Sequence, residues 1–164
     1  MNADSAHKSG WAIAEVVFGV PFLIGIALQF VFPFSFPQGI LRQVLVPAGI
    51  ALMGTGIGLI VLSRRELRHY GQPTDPGHPT SKIVKTGVYS LSRNPIYLGT
   101  VILLFGIALT TKLSWILATL LVSVIICHYV LILPEEKYLA AKFGKEYIDY
   151  TETVRRWFGR INRK

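Results

Sequence analysis

Residues 113–136 read LSWILATLLVSVIICHYVLILPEE: an apolar run with no acid, lysine or arginine from Leu113 to Leu133, then a proline and two adjacent glutamates. A run of about 20 helical residues crosses a hydrocarbon layer of about 30 Å, so this stretch is read as a spanning helix. Working outward, three more apolar runs follow the same logic: about Trp11 to Phe34, about Val44 to Leu62, and Ile96 to Thr110. The last is short for a span. Only Thr110, Thr111 and Lys112 separate it from the 113–133 run, which predicts a tight helical hairpin. The first is too long for the core of a signal peptide and is read as retained. The fold class expected is therefore all-α, a polytopic membrane protein with about four spans in a single domain, 1–164. Composition agrees, at 51% hydrophobic, 16% charged and mean hydropathy +0.46. With so much of 164 residues apolar, no separate soluble catalytic domain fits. The single cysteine, Cys127, excludes a disulfide framework and a multi-cysteine metal site.

The distribution of Lys and Arg gives an orientation. Arg64, Arg65, Arg68, Lys82, Lys85 and Arg93 lie between the second and third runs, and a further basic set runs from Lys137 to Lys164, whereas the opposite side carries only Arg42 and Lys112. Together with Lys8 this places the N-terminus, the 63–95 loop and the 134–164 tail on the cytoplasmic side. The net charge of +8 is explained by those loops lying beside anionic lipid. No basic-aromatic groove pattern accompanies it, so nucleic acid is not an expected partner.

Two polar segments thus meet at one membrane surface. In the first, SRRELRHYG continues the second helix, QPTDPGHPTS is kept irregular by Pro73, Pro76 and Pro79, and KIVKTGVYSLSRNPIYLG leads into the third run. The tail carries Tyr138, Leu139, Phe143, Tyr147, Tyr150, Val154, Trp157 and Phe158 at helical spacing, with Gly144 as an expected break.

Glu135 and Glu136 repel one another, so a cationic partner, from the protein or from a ligand, is the economical explanation for the pair. The alternative is a solvated helix start after Pro134. In GVYSLSRNPIYLG, Asn94 is biased to extended backbone by Pro95, Arg93 brings a guanidinium to the interface, and Tyr89 and Tyr97 bring rings with polar tips. Such a set suits an anionic, planar ligand, although an arginine-tyrosine membrane anchor accounts for part of it. His128 lies seven residues before Glu135, about two turns away on a similar face, and is a candidate proton acceptor, though a core histidine is the plainer reading. His69, Asp75 and His78 lack a third convincing ligand, and no metal site is expected. Serine-hydrolase elbows, phosphate-binding loops and dinucleotide fingerprints are all missing from the sequence.

Taken in order, SKIVKTGVYSLSRNPIYLG, a tight apolar hairpin, and EEKYLAAKFGKEYIDYTETVRR closely resemble the isoprenylcysteine carboxyl methyltransferase family and its phospholipid methyltransferase relatives, from Arg65 to about Arg156. The resemblance implies an integral-membrane transferase of a bacterial or archaeal inner membrane, with a cytoplasmic cap. That cap would bind S-adenosylmethionine, and a lipophilic acceptor would arrive from the bilayer. The resemblance carries cofactor contacts to Ser81, Lys82, Ile83 and Val84, to Tyr89, to Arg93, Asn94, Pro95, Ile96 and Tyr97, and to Glu135 with Glu136. It also assigns Phe143-Gly144 and Tyr147-x-x-Tyr150 to a tail closing over the cofactor. Where the prenylcysteine enzymes place a substrate-binding arginine, this chain has Leu131, which argues against a prenylcysteine acceptor. For an amine acceptor, His128 is the candidate base. Sterol-type membrane reductases, which use NADPH, look similar in their C-terminal half, but the short chain and the acidic pair favour methyl transfer. A non-enzymatic membrane scaffold is the third reading.

Overall fold

The computed structural model describes residues 10–34, 40–74 and 79–161, with the side chains of 10–13 and 40–42 outside that description; Lys8, Asp75, Pro76 and His78 also lie outside it. The described chain is helical: α1 Gly10–Val31, α2 Ile40–His69, α3 Pro95–Thr111, α4 Ser114–Ile126, α5 Leu133–Phe143 and α6 Lys145–Thr153. Among the described residues there is no strand, only an isolated bridge between Val154 and Arg160. The segments Ala14–Val31, Gln43–His69 and Ser114–Phe143 are long and apolar enough to cross a membrane. The 17 residues of α3 are apolar but shorter, reaching about 25 Å at 1.5 Å per residue.

The helical course of the 113–133 run does not stop at Leu133. Helices α4 and α5 join through a wider π-helical turn, Cys127–Ile132, in which the Leu133 N–H donates to the His128 carbonyl five residues back. Pro134 has no N–H to give the preceding turn, and the widened turn sits where that donor is missing. One inserted residue turns the helix by about 100°. The expected alignment of His128 with Glu135 on one face, which assumed regular α-helix, is therefore lost.

Helices α2 and α3 meet through glycines. A Cβ on Gly56 would lie 2.6 Å from the Leu103 nitrogen, and one on Gly106 would lie 2.6 Å from the Gly49 carbonyl oxygen, so only glycine lets these backbones approach so closely. Gly54 and Gly58 have nothing within 4 Å. On the other side α1 packs on α4 around a core of Val17, Phe18, Tyr97, Leu120, Cys127, Leu131 and Ile132, so Cys127 is a packing residue. Between α3 and α4, Lys112 takes a left-handed conformation (φ 61°) that closes the hairpin.

Beyond the spans, Gly144 (φ 53°) ends α5 and lets α6 set off in a new direction. The chain after α6 then returns to the 89–94 loop. The Tyr150 hydroxyl donates to the Tyr89 carbonyl at 2.6 Å, Gly159 N–H to the Leu91 carbonyl at 2.7 Å, and Arg93 N–H to the Arg155 carbonyl at 3.2 Å. Tyr147, Tyr150 and Val154 form a second small core with Ile83, Leu139 and Phe143 around them. The loop and the tail thereby make one packed cap on the spanning helices.

Candidate functional site

A cavity of about 320 Å³ lies where that cap meets the ends of the spans. Ala14, Glu15 and Phe18 of α1, Arg64 and Leu67 of α2, and Thr100 of α3 line its membrane end. The cap end is formed by Lys82, Ile83 and Val84, by Tyr89, by Tyr147 and Tyr150, and by Glu135 and Glu136 at the start of α5.

The two glutamates, adjacent in sequence, have different surroundings. Glu136 lies between two arginines: Arg93 Nη1 is 2.9 Å from Oε1, while Arg156 donates from Nε at 2.9 Å and from Nη2 at 2.6 Å. Only 14% of the Glu136 side chain and 12% of the Arg93 side chain are exposed, so the carboxylate of this ion-pair network is largely desolvated and fully paired. Hydrogen bonding to Glu136 pushes Arg156 above its ordinary value. Glu135 receives only the Tyr97 hydroxyl, at 3.4 Å, and among the described residues no Lys or Arg pairs with it. Glu15, the other unpaired carboxylate of the lining, is exposed to solvent, whereas Glu135 is half-buried.

Complementary donors surround it. Lys82 lines the same cavity, has no carboxylate partner among the described residues, and rests 5.3 Å from the centre of the Tyr70 ring. Arg93 keeps a buried Nε without a partner. Burial, and then the nearby Glu135 charge, push the Tyr89 hydroxyl well above the usual tyrosine range. Burial and Glu136 push Tyr147 up to about 12, and burial also raises Tyr150. All three phenols are therefore neutral hydrogen-bond donors at physiological pH.

Loop geometry is fixed by residues that do not advertise themselves in sequence. The amide oxygen of Gln72 accepts the N–H groups of Ser81 at 2.8 Å and Lys82 at 3.2 Å, and its Nε2 donates to Ser81 Oγ at 2.8 Å. Asn94, at φ −130° and ψ 54°, lies outside the extended region expected of a residue before proline, and it donates from Nδ2 to the Arg156 carbonyl at 3.1 Å.

Of the residues named from sequence, Lys82, Ile83, Val84, Tyr89, Arg93, Asn94, Pro95, Ile96, Tyr97, Glu135 and Glu136 all line the cavity. Ser81 does not; its hydroxyl is turned to Gln72. Leu131 is fully buried in the core between the spans, and His128 stands outside the cavity with its ring edge-on to Tyr129 at 5.0 Å. Glu15, Arg64 and Gln72 are among the lining residues that sequence reading passed over, as is Arg156, which acts through Glu136. The demand of Glu136 for a cation was legible in sequence, but which tail arginine met it was not.

Apolar spanning helices capped by a charged, aromatic-lined cavity at one end define a polytopic membrane protein with a candidate ligand site where the cap meets the spans. The family model for phospholipid methyltransferases matches residues 44–146, more than half of the chain and inclusive of Lys82, Tyr89, Arg93 and both glutamates. The chain belongs to the phospholipid methyltransferase family, and membership implies a membrane methyltransferase. No curated protein and no solved structure matches it.

Proposed function

We propose that this protein transfers a methyl group from S-adenosylmethionine to a lipophilic or amphipathic acceptor. The observation carrying the reading is the contrast between the two glutamates: Glu136 is neutralised by Arg93 and Arg156, whereas Glu135 faces the cavity without a cation. A half-buried carboxylate left in that condition suits a cationic ligand group.

The residue types fit the cofactor. Glu135 would take its ammonium or ribose hydroxyls, Lys82 or the free Nε of Arg93 its carboxylate, and the rings of Tyr89 and Tyr97 its planar base. Bound there, the cofactor supplies an electrophilic methyl group on a sulfonium. The protein's own part is to hold, orient and dry. Tyr147 and Tyr150 close the cap side, Asn94 and Gln72 fix the loop backbone, and Phe18 and Ala14 offer an apolar wall to the acceptor's chain. Positioning at contact distance and exclusion of water supply a large share of the rate in displacement reactions of this kind. The basic cap would face the cytoplasm.

Calorimetry with S-adenosylhomocysteine in detergent tests the cofactor. Micromolar-range binding that weakens roughly ten- to hundredfold in Glu135→Gln is expected, as for loss of a charge-assisted hydrogen bond. Folded protein that takes up NADPH instead, or neither, would defeat the reading. Labelled-methyl transfer into a membrane lipid extract, followed by identification of the product, would name the acceptor.

A further inference from the structure

The residues RRWFGR, Arg155–Arg160, point three ways within a few positions. Arg156 turns inward and grips Glu136. Trp157 packs on the core shared by α1, α4 and the π-helical turn, which ties this segment to the boundary of the spanning layer. Phe158 turns outward and is 67% exposed, with Ile161 nearby at 41%. Arg155 and Arg160 flank Phe158; both are exposed, and neither has an ion-pair partner among the described residues. Arg163 and Lys164 follow in sequence.

This segment is not a loose end. Arg155 N–H donates to the Gly159 carbonyl at 2.8 Å, Gly159 N–H to the Leu91 carbonyl at 2.7 Å, and Ile161 N–H to the Thr153 carbonyl at 2.9 Å. Its backbone also carries the site, since the Arg155 carbonyl accepts from Arg93 N–H and the Arg156 carbonyl from Asn94 Nδ2. A rigid turn that exposes a phenylalanine between unpaired arginines, beside a tryptophan seated on the spanning core, matches a headgroup layer in both polarity and charge.

We infer that the Arg155–Arg160 turn docks into the anionic headgroup layer of the leaflet bordering the cap, and that this docking holds Arg156 on Glu136 and so keeps the cavity walls in place. The occupant is acidic lipid. Phe158 enters the interface, and Arg155 and Arg160 meet phosphate or carboxylate headgroups, each strengthening the contact by about fivefold.

The test uses Phe158→Cys carrying a nitroxide label, in full-length protein reconstituted into vesicles of phosphatidylcholine alone or with phosphatidylglycerol. Cys127 is fully buried, and unsubstituted protein taken through the same labelling is the control. With phosphatidylglycerol the label is expected to become more accessible to dissolved oxygen and less so to a water-soluble nickel chelate. Arg155→Gln with Arg160→Gln is expected to abolish that dependence. Equal water exposure in both lipids, or dependence that survives the double substitution, overturns the docking. Protection that rises with protein density assigns the surface to a second copy and overturns it as well. Affinity for S-adenosylhomocysteine is expected to rise at least about fivefold with the acidic lipid. That last step rests on the proposed cofactor, whereas label depth does not. A depth change with binding indifferent to lipid overturns the coupling to Arg156, and absence of binding in every lipid counts against the cofactor reading alone.

Discussion

Arg156 closes on Glu136 at two points, Nε at 2.9 Å and Nη2 at 2.6 Å, across 20 residues of sequence that include the whole of α6. The contact fastens the tail to the foot of the fourth spanning segment, and it relieves Glu136 of any need for a ligand. Glutamates that are neighbours in sequence therefore answer to different experiments.

Glu136→Gln is expected to cost stability. It strips a shared carboxylate from two arginines, one of them almost fully buried, and loss of one partner from such a pair leaves an uncompensated charge. With Arg156 about one-third exposed, a loss of about 2–3 kcal/mol is expected, read as a lowered unfolding midpoint in detergent. Glu135→Gln, which removes no ion pair, is expected to leave the midpoint unchanged or slightly raised while weakening ligand binding. The reverse assignment of effects would show that Glu136 is the ligand's partner.

Tyr150→Phe removes a single buried hydrogen bond, the hydroxyl's donation to the Tyr89 carbonyl. About 1 kcal/mol is expected, and the orphaned carbonyl is at the upper end of what such a deletion costs. Hydrogen exchange at the 87–91 backbone should quicken in this variant. Unchanged exchange there would mean that the tail does not hold the loop.

Alkaline pH should loosen the cap. Tyr147 is raised from about 10 when unfolded to about 12 in the folded protein, by burial and by Glu136. The folded state then binds more protons than the unfolded state between those values, so stability is full below pH of about 10 and falls by up to about 1.4 kcal/mol per unit as pH rises toward 12. Comparing unfolding midpoints of parent and Tyr147→Phe across that window isolates this contribution. An identical slope in both would assign the loss to other groups.

Gly56→Ala and Gly106→Ala should separate α2 from α3, because the added carbon meets backbone at 2.6 Å in either case. A clear loss of folded yield and of thermal midpoint is expected, of the order of 2 kcal/mol or more for overpacking of this kind. Gly54→Ala and Gly58→Ala, which meet nothing within 4 Å, serve as matched controls and should be neutral or slightly stabilising.

The helical class, the hairpin at Lys112 and the break at Gly144 were legible in sequence because each has a local cause: apolar length, a connection too short for anything but a turn, and a residue that takes positive φ without strain. The gathering of Lys82, Tyr89, Arg93 and the glutamates was legible through motif order. What stayed hidden depends on distance through space. Gln72 reads as one more polar residue in a loop until its amide is found holding Ser81 and Lys82. Arg156 is one of several tail cations until the chain returns beside α5. The placing of His128 rested on a uniform rise that the chain does not keep.

The widened turn at Cys127–Ile132 sets the aim of everything after it. Losing one residue there would restore an even spiral and swing both acidic groups about a quarter of the way round the axis, carrying one away from Tyr97 and the other away from Arg93. Membrane crossing itself would tolerate that deletion, since lipid reads only greasiness and length. The stretch is thus indifferent to lettering for one purpose and intolerant of miscounting for the other, and single-residue deletions scanned along 114–132 should spare insertion while extinguishing ligand uptake.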